Sequence, residues 1–220
     1  MAFVVKKFGG SSVATPEKIF HLVDRVLSEK KPDDKIVIVV SAMGDTTDDL
    51  LTLAGRITDR MPKREMDMLL ATGEQVSIAL LASAFMERGQ KAISFTGFQA
   101  GIRTNASFTK ASILEVNAER VKKALDEGNV VIVAGFQGIT DEGDITTLGR
   151  GGSDTTVVAV AAGLKADICE IYTDVDGVYT ADPRVVPNAI KLKEITFGEM
   201  LDWPVWEPAL CSPVLWNTAN

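Results

Sequence analysis

Two glycine-rich turns carry residues that can handle phosphate. Lys7-Phe8-Gly9-Gly10-Ser11-Ser12 lies near the start of the chain, and Gly149-Arg150-Gly151-Gly152-Ser153-Asp154 lies past its middle. Glycine permits positive φ and close backbone approach, so consecutive glycines can aim several N–H donors at one anion. An ammonium at Lys7 can converge on the same oxygens and offset charge that develops while a phosphoryl group moves. From that turn alone, a surface lysine ahead of a structural turn is the simpler reading. Arg150 offers a bidentate grip on a carboxylate or phosphate. The helix expected after Ser153-Asp154 points its N-terminus at the same ligand, where the dipole favours an anion. Asp154 taken alone reads as the cap of that helix. No G-x-x-x-x-G-K-[ST] and no G-x-G-x-x-G after a strand occurs, which argues against P-loop and dinucleotide-binding folds. A third segment, Thr173-Asp174-Val175-Asp176-Gly177-Val178-Tyr179-Thr180-Ala181-Asp182-Pro183-Arg184, makes the set far more specific.

The elements that must hold these turns follow from periodicity. Short β-branched runs at 3–7, 35–40, 92–95, 129–134 and 168–173 are each followed within two residues by Gly, Ser, Thr or Asp, and read as buried strands of a largely parallel sheet. Helical patterns occupy 16–30, about 65–88, 112–127 and 155–164, with Pro16 after Thr15 as a good start. Alternating strands and helices predict an α/β three-layer sandwich whose ligands bind at the carboxyl ends of the strands. The polar stretch 141–149 reads as a loop or small hairpin.

Composition narrows the partners. The chain has 220 residues, 46% of them hydrophobic, with 23 Lys plus Arg against 30 Asp plus Glu and a net charge of −7. No dense basic block exists, so neither nucleic acid nor an anionic membrane surface is expected as a partner. No signal peptide is evident, and no stretch reads as the ~18 apolar residues of a spanning helix, so a cytoplasmic location is expected. Cys169 and Cys211 support neither a disulfide framework nor a metal cluster, and Cys169 reads as core. His21, the single histidine, reads as a partly buried structural residue on a helix. Met61, Met66 and Met68 read as core or a mobile cover. Asp45, Asp48 and Asp49 read as a solvated loop and helix start. Asp174, Asp176 and Asp182 lack calcium-loop spacing, and no metal-ligating set is expected.

The segments at 7–13, 41–44 (Ser41-Ala42-Met43-Gly44), 72–74 (Thr72-Gly73-Glu74), 149–154 and 173–184 resemble aspartate kinases of the amino-acid kinase superfamily in order and spacing. The resemblance runs from residue 2 to about residue 201. It implies the amino-acid kinase fold and transfer of the ATP γ-phosphoryl group to the β-carboxylate of L-aspartate, the entry step to lysine, threonine, methionine and diaminopimelate. It also implies Mg2+ held mainly by phosphates and a homo-oligomeric intact protein. By the same resemblance Lys7 and Asp154 are catalytic, with Asp154 orienting Lys7. Ser41, Thr47, Glu74, Arg150, Gly151, Gly152 and Ser153 bind aspartate, Glu74 taking the α-ammonium and Arg150 a carboxylate. Lys7, Phe8, Gly9, Gly10, Ser11, Thr173, Asp174, Tyr179 and Arg184 form the ATP side. Two rival readings are another small-molecule kinase of this fold and a catalytically impaired nucleotide-binding fragment.

The resemblance stops after Leu201. The family continues there with a segment like Leu-Ala-Ser-Leu-Gly-Ala and later with regulatory ACT domains. Here Asp202-Trp203-Pro204 begins a stretch holding all 3 tryptophans and three of the 8 prolines. Back-translation of 202–208 in a shifted frame permits Leu-Ala-Ser-Leu-Gly-Ala. The expectation is an incomplete catalytic domain over 1–201, a frameshifted tail over 202–220 that forms no domain, and no ACT domains.

Overall fold

The computed structural model describes residues 2–172, 186, 188–190 and, as backbone, 216–217. In chain order the elements are β1 (Phe3–Phe8), α1 (Pro16–Glu29), β2 (Lys35–Val40), α2 (Thr46–Ile57), α3 (Lys63–Glu87), β3 (Ala92–Phe95), β4 (Ile102–Thr104) and β5 (Ile113–Val116). They continue with α4 (Glu119–Asp126), β6 (Val130–Ala134), β7 (Gln137–Ile139), β8 (Ile145–Thr147), α5 (Gly152–Leu164), β9 (Ile168–Tyr172) and β10 (Trp216–Asn217). A 3-10 turn, Gly10–Val13, follows β1.

The main sheet has the order β10-β9-β1-β2-β6-β3. Every pairing in it is parallel except that of β10 with β9. Strands covered on both faces need apolar side chains in both directions, which is why β2 reads KIVIVV and β6 reads VVIVA. Alternation divides them. Val37 and Val39 face a core built with Val121, Leu125, Val157, Val160 and Leu164 of α4 and α5. Ile36, Ile38 and Val40 face a second core built with Ile19, Leu22, Val23, Ile78, Leu81 and Phe85 of α1 and α3. The result is the expected α/β three-layer sandwich. A second sheet, β5-β4-β7-β8, extends it beside α3.

Local signals explain the best-placed elements. Thr15 caps α1 by accepting from the Lys18 amide at 3.3 Å, with Pro16 in the first turn. α3 is long and apolar enough to cross a membrane, contrary to the expectation that no such stretch exists. Leu70, Ile78, Leu81 and Phe85 of this helix are core residues, so burial within the fold accounts for its composition.

Other expectations are corrected. The helix expected over 112–127 divides into β5 and α4. Gly101 approaches so closely that a Cβ there would lie 2.0 Å from the Asn117 carbonyl oxygen, and the Asn117 amide donates to the Gly101 carbonyl at 2.9 Å. That contact fixes 113–116 as a strand against β4, and the Asn117 side chain accepts from the Glu119 amide at 3.2 Å as α4 begins. The helix start expected after Gly44 is the start of α2, with Asp45 exposed at its N-cap and Asp48 and Asp49 exposed in its first turn, as that reading had it. His21 is exposed rather than partly buried, because it lies on the α1 face opposite Leu22 and Val23. Met61 and Met66 are half-buried and Met68 is exposed. The hairpin reading near 141–149 is realised by β7 and β8. Cys169 is core, its thiol pushed up to about 11 by burial and the neighbouring Glu170 carboxylate.

Candidate active site

The carboxyl ends of β1 and β2 and the N-terminus of α5 meet at one place. Successive β1 side chains alternate across the sheet, so Lys6 and Lys7 face opposite layers. Lys7 is buried, and its Nζ lies 2.8 Å from Asp154 Oδ1. Asp154 therefore does not cap α5. The N-cap is Gly151, at φ 71°, with no side-chain cap; the Gly152 amide donates to the Gly149 carbonyl and the Asp154 amide to the Gly151 carbonyl, each at 3.0 Å, while the positive end of the helix dipole still faces the site.

The glycine turn after β1 is wedged against the β2 end. A Cβ on Gly10 would lie 2.5 Å from the Ala42 carbonyl oxygen, and the Gly44 amide donates to the Gly10 carbonyl at 3.1 Å. The Ser41 amide donates to the Phe8 carbonyl at 3.3 Å, tying the two strand ends together. The Phe8 ring is core and stacks on Tyr172 with centroids 4.5 Å apart, so only its backbone faces the turn. Gly9 is half-buried and Ser11 exposed.

Ser41 Oγ and Ser153 Oγ are 3.0 Å apart, joining the β2 end to α5. Gly135 lies beneath them, where a Cβ would come within 2.7 Å of Ser153 Oγ. Gly152 is equally confined, because a Cβ there would lie 2.9 Å from Leu148 Cβ and 2.9 Å from a Phe136 ring carbon. Thr156 fixes this corner: its hydroxyl donates to the Gly152 carbonyl at 2.7 Å and accepts from the Phe136 amide at 3.1 Å.

Glu74 reaches the site from the middle of α3. It is 3% exposed, and its Oε1 accepts from the Ala42 amide at 3.0 Å. Its Oε2 is buried and has no hydrogen-bond partner. Burial, only partly offset by the amides of Glu74 and Ala42, pushes its carboxyl up to about 7. Gly73 makes the approach possible, since a Cβ there would sit 2.9 Å from Ala42 Cβ. An orphaned buried carboxylate oxygen is costly unless a ligand donor completes it. An ammonium is the natural complement.

Of the residues expected from sequence, Lys7, Gly10, Ser41, Glu74, Gly151, Gly152, Ser153 and Asp154 converge through these contacts. Thr47 is half-buried in the first turn of α2, and Arg150 is exposed between Gly149 and Gly151. No ion pair with another described residue engages Arg150. Thr173, Asp174, Tyr179 and Arg184 lie outside the described residues. Among the described residues no cluster of three His, Cys, Asp or Glu could hold a metal ion.

Three structural participants went unnoticed in the sequence. Thr156 is one. Lys6 is another, with Nζ 2.7 Å from Glu29 and 2.8 Å from Glu170 on the far face of β1. Asp67 is the third, fully buried on α3 among Met66, Met68 and Leu70. An acid within so apolar a stretch of helix was the available signal, because a buried carboxylate must find donors.

Among known proteins, the chain is 58% identical over 202 residues to an aspartokinase of Bacillus sp. (strain MGA3), covering 92% of this chain and 49% of that protein. The chain thus spans about half the length of the curated relatives it matches. A crystal structure of aspartate kinase from Synechocystis superposes with a TM-score of 0.78 at 54% identity, over 90% of this chain and 33% of that one. E. coli aspartokinase III, solved in complex with aspartate and ADP, also superposes with a TM-score of 0.78, at 30% identity over 90% of this chain and 55% of that one. The model of the amino acid kinase family matches residues 2–207, and by that match, together with its layered α/β fold, the chain belongs to the amino acid kinase family.

Proposed function

We propose that this chain is the catalytic part of an aspartate kinase, transferring the ATP γ-phosphoryl group to the β-carboxylate of L-aspartate to give 4-phospho-L-aspartate. The observation that carries this reading is the unpartnered Oε2 of Glu74, buried at the same strand ends as Lys7 and the α5 N-terminus. A site that offers one buried carboxylate and one cationic, amide-rich end fits an amino acid with an acidic arm. The Bacillus relative and the complex of the E. coli protein with aspartate and ADP support it.

In this reading Glu74 takes the α-ammonium, and Arg150, exposed at the rim, takes the α-carboxylate. Ser41, Thr47, Ser153 and the backbone of Gly151 and Gly152 complete the pocket. A β-carboxylate oxygen attacks the γ-phosphorus while the bond to the bridging oxygen of ADP breaks. The attacking carboxylate is ionised near neutral pH, so no general base is needed. Lys7, oriented by Asp154, stabilises charge on the transferring oxygens. Gly9, Gly10 and Ser11 form the turn assigned to the phosphates, which the missing Cβ of Gly10 lets sit directly against the Ala42 carbonyl. Phe8 lines the turn through its backbone, and Thr173, Asp174, Tyr179 and Arg184 belong to the nucleotide side. Mg2+ would accompany the phosphates. A cytoplasmic location and an out-of-frame 202–220 belong to the same reading.

Because the 220-residue chain is expected to show little or no activity, the test is ATP-dependent ADP release by an intact-length version of it with L-aspartate, L-glutamate, acetylglutamate, carbamate or UMP as acceptor. Release with L-aspartate alone is the expected result. Preference for another acceptor, or none, would overturn the assignment.

A further inference from the structure

Helix α3 carries two buried acids on one face, Asp67 and Glu74, separated by two helical turns. They are satisfied very differently. Glu74 leaves one oxygen without a partner. Asp67 is saturated: its carboxylate accepts from the Thr109 amide at 2.9 and 3.1 Å, from the Thr147 amide at 2.9 Å, and from the Thr147 hydroxyl at 2.7 Å.

Both partners of Asp67 lead to the same glycine. Thr147 ends β8, two residues before Gly149. Thr109 holds a left-handed conformation, φ 70°, and its carbonyl oxygen would lie 3.2 Å from a Cβ on Gly149. Gly149, at φ 78°, opens the turn that presents Arg150 and starts α5, and its carbonyl accepts from the Gly152 amide at 3.0 Å. Other contacts reinforce the α3 connection to this region. Gln137 on β7 donates to the Ala71 carbonyl at 2.9 Å, and Arg64 reaches Asp144 at 2.7 Å.

We infer that Asp67 is a positioning residue for substrate recognition, locking the helix that supplies Glu74 to the turn that supplies Arg150. The inference rests on the aspartate kinase reading for what is recognised, but the mechanical link does not. A carboxylate suits the task because it accepts at both oxygens without offering a donor, and three donors converge on it. Asparagine is nearly the same size but would turn an N–H toward those donors and leave at least one unsatisfied. The two substrate-binding ends would then lose their fixed separation, while the glycine turn after β1 would not.

The experiment compares Asp67→Asn and Thr147→Val with the parent 220-residue chain. Calorimetric titration reads L-aspartate and ATP separately, and amide hydrogen exchange is followed residue by residue. Asp67→Asn should raise the L-aspartate Kd about tenfold or more and leave the ATP Kd within about twofold. Exchange at Thr109, Thr147 and Gly152 should accelerate about tenfold or more, while Val37, Val39, Val131 and Val133 stay protected. Thr147→Val, which removes one donor and keeps its amide, should shift both readouts in the same direction by less. Unchanged exchange across 147–154, or equal losses for the two ligands, would overturn the inference. If Asp67→Asn does not fold, Thr147→Val decides, and its overturning result is an L-aspartate Kd and a 147–154 exchange pattern equal to the parent's. If the parent binds ATP but not L-aspartate, the functional reading fails, and the exchange data alone decide whether Asp67 holds the turn.

Discussion

Lys7 Nζ and Asp154 Oδ1 stand 2.8 Å apart, so a single ion pair joins the end of β1 to the first turn of α5. Asp154 keeps 45% of its side chain exposed, whereas Lys7 keeps 10%. A pair at a solvent boundary contributes little to stability. Its geometry fixes where the ammonium points.

In an intact-length version, Lys7→Ala and Asp154→Ala should therefore lower kcat by about 10²–10³ while L-aspartate affinity and thermal unfolding change little. Steady-state kinetics, titration and thermal denaturation of each variant check this. Near-parental turnover with weakened binding would place the pair in ground-state recognition instead.

Glu74 should make L-aspartate binding pH-dependent. Its carboxyl lies at about 7 and must be ionised to hold an ammonium, so affinity falls as the pH drops through that value. Glu74→Gln should weaken L-aspartate binding by about 1.5–3 kcal/mol, remove this pH dependence, and spare ATP binding. The effect on stability has the opposite sign. A raised carboxyl pKa favours the folded state at low pH, and that contribution disappears as pH rises from 4.5 to about 7. Above that window Glu74→Gln should be more stable than the parent by up to about 3 kcal/mol, with the ionisation-dependent part of the difference absent below about pH 4.5. Urea unfolding at several pH values reads it; a parent whose stability relative to Glu74→Gln does not fall with rising pH would contradict the burial argument.

Gly10→Ala tests the wedge between the first glycine turn and β2. The added Cβ would meet the Ala42 carbonyl oxygen at 2.5 Å, and backbone must move to admit it. Unfolding should become easier by about 1–3 kcal/mol, and the ATP KM should rise. Denaturant titration and kinetics measure both.

Lys6 should matter for stability and not for substrate affinity. Burial alone would depress its ammonium, but Glu170, Glu29 and the Tyr172 hydroxyl together raise it above the ordinary lysine range. Lys6→Met leaves Glu170 without its cation while Glu29 keeps Arg25 at 3.0 Å, at a cost of about 1–3 kcal/mol given the partial exposure of both carboxylates. Adding Glu170→Gln should restore part of that loss. Denaturation of the single and double variants, with L-aspartate titration as the control, tests it.

The sequence by itself determined the layered α/β architecture, because doubly covered strands such as 35–40 and 130–134 must be apolar in both directions and their helices amphipathic or flanked by capping residues. It also located both glycine turns, because close backbone approach admits only glycine at Gly10 and Gly152. It could not decide the fate of 113–116, whose strand state depends on Gly101 lying against Asn117, a contact that no local pattern encodes. Asp154 was open between helix cap and ion pair until β1 and α5 were placed side by side. Tertiary structure also separated Asp67 from Glu74. Both are acids on one helix, yet the donors of Thr109 and Thr147 complete the first, and the second keeps a bare oxygen. Satisfaction of a buried charge is a property of neighbours brought from distant parts of the chain, and only the folded chain supplies them.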